Sequence, residues 1–317
     1  METIYFLVQQ TMLFSIPLLL VALGGMFSER SGVVNIALEG IMIIGAFTGI
    51  FFISRFGNLF SPTTTLFIAI IISALSGLIF SLLHAYASIN MSADQVISGT
   101  ALNIFAPAFA IYVTRAIQVV QQISFVNNFR IESVPVLGNI PIIGNLLFKN
   151  AYITTYLGFI ILALSWFALY KTRFGLRLRS CGEHPQAADS VGINVYKMRY
   201  FGVAISGALA GIGGLVFVIP TSTNFNATVA GYGFLALAVL IFGQWKPMRI
   251  LYAAFFFGLM KTLASAYSGI PILANLPISN SVYKMIPYIT TIIVLAFTSK
   301  NSQAPKASGL PYDKSVR

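Results

Sequence analysis

LVQQTMLFSIPLLLVALGGMFSERSGVVNIALEGIMIIGAFTGIFFI, residues 7–53, is two apolar runs, Leu7–Met26 and Val33–Ile53, separated only by a short polar interruption around Ser28–Gly32. A helix rising about 1.5 Å per residue needs about 20 residues to cross a hydrocarbon layer of about 30 Å, and each run meets that length. Further runs follow at Thr65–Ser88, Val96–Thr114, Tyr152–Tyr170, Tyr200–Ile219, Gly233–Gly243, Ile250–Ala264 and Met285–Thr298. The pattern predicts an all-α polytopic membrane protein of about nine transmembrane helices, within a range of eight to ten. The run Gly233–Gly243 covers only about half of the layer, so it is either extended by Thr228–Tyr232 or a half-helix. Broken elements of that kind are tolerated only against protein or a wet cavity.

Composition agrees. Of 317 residues, 57% are hydrophobic and 9% charged, against about 45–50% and about 25% in soluble domains. With a mean hydropathy of +0.85 and a total of only 8 Asp and Glu, the chain has too little polar skin for water, so its outer surface is lipid. The net charge of +11 does not point to nucleic acid, because the basic residues sit in the gaps between apolar runs, where topology signals lie. A single cysteine, Cys181, excludes an internal disulfide and a cysteine metal cluster. The opening METIYFLVQQ has no basic n-region and no small-residue cleavage site follows, so the first run is expected to stay as a span.

Orientation follows from the bases. Lys171, Arg173, Arg177, Arg179, Lys197 and Arg199 form the densest positive cluster, which places that connection in the cytoplasm. By alternation Arg30, Lys246, Arg249, Lys300, Lys306, Lys314 and Arg317 join it inside, leaving Arg55, Arg115, Arg130, Lys149, Lys261 and Lys284 elsewhere. The expected layout is one multi-pass transmembrane domain over residues 1–300, with the N-terminus outside. A cytoplasmic connection spans about 171–199 and an extracellular one about 115–151, where Pro135, Gly138, Pro141 and Gly144 alternate with Ile140, Ile142 and Ile143 and read as turns and interfacial pieces. The tail 301–317, with Pro305 and Pro311, is polar, cytoplasmic and most simply disordered.

Catalytic chemistry finds no support. There is no G-x-x-x-x-G-K-[ST] for ATP, no G-x-S-x-G elbow and no carboxylate pair within a span. His84 and His184 lack the spacing of a metal site.

Three stretches stand out. In SERSGVVNIALEG, residues 28–40, polar groups interrupt a hydrophobic hairpin. Charge at a bilayer centre costs about 2.5–3.5 kcal/mol, so these groups sit either at the surface or in the protein interior. One reading is a cytoplasmic turn with Glu29 and Arg30 in water; the other is a broken helix entering a translocation path, with Asn35 and Glu39 offering polar groups to it. In HPQAADSVG, residues 184–192, Pro185 suits a first helical position, Gln186, Ala187 and Ala188 favour helix, and Gly192 is a stop. This predicts a two-turn helix outside the membrane, and one so short must pack on something. Val191, Ile193, Val195 and Tyr196 offer an apolar face either to the protein's own spans or to a cytosolic partner. In GYGFLALAVLIFGQWKPMR, residues 231–249, Tyr232 and Phe234 either stack on a flat substrate or anchor at the interface. Asn103, beside Pro107 in mid-span, and Lys261 are polar groups at membrane depth: each serves the path, or Asn103 bonds a neighbouring helix and Lys261 snorkels.

Taken together, the motifs SERSGVVNIALEG, GEHPQAADSVGI at 182–193 and GYGFLALAVLIFG at 231–243 resemble the membrane permeases of bacterial ABC importers, in the family handling branched-chain amino acids, simple sugars and nucleosides. The likeness covers essentially the whole chain, and the first motif is similar to the nucleoside, guanosine-type branch. It implies a type II importer-like fold in the plasma membrane and a coupling role for the short helix: Gly182, Glu183, Pro185, Ala187, Ala188 and Gly192 match the segment that enters a cleft of the ATPase subunit. His184, Gln186, Asp189, Ser190 and Val191 fall within it; His184 stands where many relatives have Asn, and either type can cap a helix. The resemblance further implies a cytosolic ABC ATPase that uses ATP and magnesium, a second homologous permease, and an extracellular substrate-binding lipoprotein. This chain would itself bind no cofactor and no metal. Translocation-path candidates are Asn35, Glu39, Asn103, Tyr232 and Phe234. An ion-coupled secondary transporter acting alone is the competing class, disfavoured by the shortage of intramembrane acids.

Overall fold

The computed structural model describes residues 2–126, 129–134, 138, 140–141, 144–267, 279–298 and 303–314. Pro135, Ile142 and Ile143 of the Pro and Gly rhythm, and Lys300 and Arg317 of the tail, lie outside the described residues. The helices are α1 (Glu2–Arg30), α2 (Leu38–Phe56), α3 (Pro62–Ile89), α4 (Gln95–Gln118), α5 (Ile153–Lys171), α6 (Arg173–Glu183), α7 (Pro185–Ser190), α8 (Val195–Thr221), α9 (Tyr232–Phe242), α10 (Pro247–Ala266) and α11 (Asn280–Thr298). Among the described residues, 7 are long and apolar enough to cross a membrane: α1, α2, α3, α4, α5, α8 and α10. The two other apolar runs are shorter, α9 and the Val282–Val294 part of α11.

Helix starts are set locally. Ser61 Oγ accepts from Thr64 N–H at 3.3 Å ahead of Pro62, and Asp94 Oδ1 accepts from Val96 and Ile97 N–H at 2.7 and 3.0 Å. Asn194 Oδ1 receives Lys197 N–H at 2.9 Å and Thr172 Oγ1 receives Gly175 N–H at 3.2 Å. Each side chain satisfies a donor that the helix itself leaves free. The Thr172 cap starts α6, an amphipathic helix within the basic connection that the apolar runs do not reveal.

The interior is built around α8, which packs on α1, α2 and α3. A methyl added at Gly211 would collide with the Ser73 carbonyl, and one at Gly45 with the Gly211 backbone. The three helices therefore touch nearly backbone to backbone, as membrane helices do where small residues line the seam. Outside this bundle, α4 keeps most of its apolar side chains exposed, among them Ile104, Phe105 and Tyr112, and α5 exposes one face with Ile160, Leu164 and Phe167.

At one end of the bundle the connection after α4 forms β1 (Ile123–Ser124), paired antiparallel with β4 (Asn224–Phe225), and β2 (Arg130–Ser133), paired with β3 (Lys149–Tyr152). The described part of that connection is thus strand, turn and one π-turn over Gly144–Phe148. At the opposite, basic end lie α6, α7, the α9–α10 turn and the tail. Residues 303–314 are not a disordered polar extension: they lie across this end with Pro305, Ala307 and Tyr312 buried. The reason is backbone hydrogen bonding, detailed below, which composition does not reveal.

Candidate functional site

The second apolar run does not begin a helix at Val33. Gly32 has φ +100°, the chain turns back into the protein, and helix resumes only at Leu38. Residues 33–37 are a non-helical stretch inside the bundle, where every backbone polar group needs a partner. Side chains of α3 and α4 supply those of Val34 and Ile36. Gln95 Oε1 accepts from Val34 N–H at 2.7 Å, and His84 Nε2 lies 2.9 Å from the Val34 carbonyl. A carbonyl only accepts, so Nε2 carries the proton and Nδ1 receives the Ser98 hydroxyl at 2.9 Å. Asn103 Nδ2 donates to Ile36 O at 2.8 Å while its Oδ1 accepts from Gly40 N–H at 2.7 Å. Asn35, fully buried, donates to Ser206 Oγ at 2.9 Å and accepts from Ala37 N–H at 3.2 Å.

The second broken element meets the first. Ala227, Ala230 and Gly231 have φ of +57°, +53° and +78°, so the chain enters α9 through left-handed residues, a conformation that costs non-glycine residues and persists only where surroundings hold it. The clamp is Glu39: its Oε1 accepts from Gly231 N–H at 2.9 Å and its Oε2 from Gly233 N–H at 2.6 Å. Gly233 packs on the Glu39 backbone so closely that a Cβ would overlap it. The N-terminal turns of α2 and α9 thus converge on one carboxylate, which both helix dipoles favour. Tyr232, 1% exposed, packs on Phe217 with ring centroids 4.0 Å apart and under Lys261 Nζ at 5.8 Å. Phe234, by contrast, is 52% exposed. The structure therefore gathers Asn35, Glu39, the half-buried Asn103 and Tyr232 around two helix starts, the first three hydrogen-bonded within the protein and Tyr232 buried with its hydroxyl unbonded, and leaves Phe234 open. Toward the β-strand end, a cavity of about 710 Å³ is lined by Ile111, Arg115, Gln121, Gln122 and Asn226 among others.

At the basic end, Pro185 opens α7 and Gly192, at φ +83°, ends it. His184 occupies the N-cap position without a side-chain bond to the helix; its capping expectation is corrected, since its ring is exposed. Pro185 and Ala188 face inward, Gly182 is buried, and Asp189 is half-buried. Gln186, Ala187, Ser190, Val191 and Gly192 face outward, Val191 with 74% exposure. Glu183 Oε1 sits 3.5 Å from Arg30 Nη1, joining the start of α7 to the end of α1. Arg30 Nη2 also donates to Trp245 O at 3.1 Å, and Trp245 Nε1 donates to Glu29 Oε2 at 2.6 Å. Glu29 is 7% exposed, so the reading that leaves it in water is wrong: the indole reaches it from the α9–α10 turn. Cys181, fully buried beside this junction, has its thiol pushed up to about 11 by burial, against a lowering influence from Arg199 and Ser180.

Sequence reasoning missed Ser206, Gln95, Trp245 and His84 as partners. Ser206 and His84 signal themselves only as polar atoms within apolar runs, whereas Gln95 and Trp245 sit in the connections beside such runs and carry no signal.

A bundle of long apolar helices, broken at two interior helix starts and carrying a short exposed helix at its basic end, is that of a polytopic membrane protein. A family model described as "Branched-chain amino acid transport system / permease component" matches residues 7–295. The chain belongs to that family of ABC transporter permeases. It is 42% identical over 315 residues to "Nucleoside ABC transporter permease protein NupC" of Lactococcus lactis, covering 99% of this chain and 98% of the relative. Against "Guanosine ABC transporter permease protein NupQ" of Bacillus subtilis it is 44% identical, covering 98% and 97%. A more distant relative, "Nucleoside ABC transporter permease protein NupB" of L. lactis, is 26% identical over 80% of this chain and 72% of its own length. No solved structure matches.

Proposed function

We propose that this chain is the membrane-spanning translocation subunit of an ATP-binding-cassette importer for nucleosides. The observation that carries this reading is end-to-end likeness to two permeases named for nucleoside and guanosine transport, at 42% and 44% identity. In this reading the chain crosses the bacterial plasma membrane nine times. The helices α1–α5, α8, α10 and α11 span it, and the loop before α9 descends from the outside to meet α9, which completes the crossing. The basic end is cytoplasmic, with the C-terminus inside and the N-terminus outside, consistent with the bias of Lys and Arg.

The outward side of α7, with Gln186, Ala187, Ser190 and Val191, docks on a cytosolic ATPase that binds ATP and magnesium. A second, similar permease completes the path; two L. lactis nucleoside permeases resembling this chain to different degrees favour unlike partners. An extracellular binding lipoprotein delivers the substrate at the β-strand end. Half-helices with their N-termini at membrane depth recur at transporter substrate sites. Here the α2–α9 junction is bordered by the exposed Phe234 ring, a flat surface for a base. The chain is non-catalytic; it changes conformation as far as ATP binding by its partner favours one state.

The test is uptake of labelled guanosine by proteoliposomes holding this chain with its co-purified partners. ATP-dependent uptake supports the reading. Uptake driven by an ion gradient with no ATPase present overturns it in favour of a secondary transporter.

A further inference from the structure

The segment Gln303–Tyr312 has no recognisable motif, yet it bonds α6, the turn after α1, the α9–α10 turn and the start of α8 at the basic end. Ala307 N–H donates to Gly182 O at 2.8 Å, directly ahead of α7, and Gly309 N–H donates to Gly32 O at 3.2 Å, just past the end of α1. Gln303 N–H reaches Gln244 Oε1 at 2.9 Å, in the α9–α10 turn. From the first turns of α8, Arg199 Nη1 donates to Leu310 O at 3.0 Å and Tyr196 OH to Tyr312 O at 3.4 Å. The rings of Tyr196 and Tyr312 lie 5.4 Å apart, edge to face, and the Arg199 guanidinium sits 5.9 Å from the Tyr312 ring centre.

Arg199 marks how much depends on this strand. It is 1% exposed, and its Nε and Nη2 have no hydrogen-bond partner. A guanidinium buried with idle donors is costly, and what compensates it is the carbonyl and the aromatic face that the tail brings. Removing the segment would open Arg199 to water and take away the bridge it makes between Gly182 and Gly32, leaving α6 and α7 held to α1 by the Arg30–Glu183 pair and by the packing of Gly182 on the Arg30 backbone.

We propose that Gln303–Tyr312 is a clasp that makes α7 move as one body with the ends of α1 and the α9–α10 turn, so that displacement of α7 by the ATPase reaches the half-helix α9 and its Glu39 junction. The proposal rests on α7 being the ATPase-docking helix. When the clasp is absent, α7 can move without carrying α9, and the ATPase turns over without transport. The contacts are positioning contacts: none touches nucleotide or substrate.

The experiment compares the full-length importer in proteoliposomes with a chain ending at Ser302 and with full-length Ala307→Pro, which removes the N–H that Gly182 O receives. Ala307→Ser, which keeps that N–H, is the control. Nucleoside taken up and ATP hydrolysed are measured together. The expected result is ATP turnover retained while nucleoside moved per ATP falls by about fivefold or more, the lower range of a coupling free energy between sites. Ala307→Ser should match the parent. If the shortened chain fails to fold, Ala307→Pro alone decides. An unchanged ratio in Ala307→Pro overturns the clasp, as does loss of ATPase binding without a change in ratio for the complexes that remain. If the full-length chain itself retains no ATPase, the docking reading of α7 fails and the clasp fails with it.

Discussion

The carboxylate of Glu39 receives the backbone N–H groups of Gly231 and Gly233 at 2.9 and 2.6 Å. It joins two helix starts that are far apart in the chain and sits where both helix dipoles are positive. Glu39→Ala would leave both N–H groups unmet within the bundle. The loss of a helix cap alone costs about 0.5–2 kcal/mol, and more where no water can substitute. We expect uptake to fall by about tenfold or more for Glu39→Ala, equivalent to about 1.4 kcal/mol or more of lost coupling, with a smaller loss for Glu39→Gln, which keeps one acceptor oxygen. Transport by purified variants that remain monodisperse in detergent checks this; an unchanged rate in Glu39→Ala refutes the role.

Ala187 and Ala188 are adjacent on α7 yet differ in consequence, because Ala187 is exposed and Ala188 is 3% exposed. Ala187→Arg should leave thermal stability unchanged and abolish ATPase retention in a pull-down. Ala188→Arg forces a charge into the interior, a class of change that costs several kcal/mol, and should lower Tm before any question of docking arises. Equal Tm losses for the two would contradict the orientation of α7 described above.

Trp245→Phe removes the indole N–H that meets Glu29 Oε2 at 2.6 Å while keeping an aromatic ring. A buried acceptor stripped of its donor costs about 1–3 kcal/mol. The expected outcome is a lowered Tm, and the double variant Trp245→Phe with Glu29→Gln should recover part of it. A cycle in which the two losses simply add would show the bond contributes nothing.

Burial pushes the Cys181 thiol up to about 11, above the usual value of about 8.5. A raised folded pKa means the thiol stays protonated, and its contribution to stability is present below the unfolded value and lost as pH rises toward 11. Maleimide labelling of the native protein should therefore remain slow from pH 7 to 9 and become fast only on denaturation. Rapid labelling at pH 7 would place Cys181 at the surface.

Gly211→Leu inserts a side chain where α2, α3 and α8 meet at the Ser73 carbonyl and the Gly45 backbone. Overpacking of a well-filled interior costs about 1–3 kcal/mol and more where backbone must move. The variant is expected to express poorly or melt earlier in a fluorescence-detected thermal scan, whereas Phe105→Leu on the exposed side of α4 should be neutral.

Much of the architecture is legible without coordinates, and the reason is chemical. Lipid requires long apolar runs, so eight of the runs can be marked to within a few residues of their helices. An eleven-residue run such as α9 is conspicuous because it is too short. Pro185 and Gly192 delimit α7 through φ preferences that belong to those residues themselves. Asn35, Glu39 and Asn103 stand out as polar groups among apolar ones, but nothing local says whether they face a path or a partner. Asn35 and Ser206 are 171 positions apart, and Glu39 and Gly233 are 194 apart. The tail was illegible for a different reason: its anchors are largely main-chain N–H and C=O groups, which every residue carries alike.

By itself, then, the sequence determined the class: its apolar runs, its bases and its turn residues act over one to five neighbours, and their physics does not need the rest of the chain. Only the tertiary structure decided that Glu39 caps α9, that Glu29 meets Trp245, and that residues 303–312 lie across Gly182 and Arg199. Those are hydrogen bonds between distant segments, and whether a polar group finds its partner depends on which helices pack together, a property of the whole bundle rather than of any stretch within it.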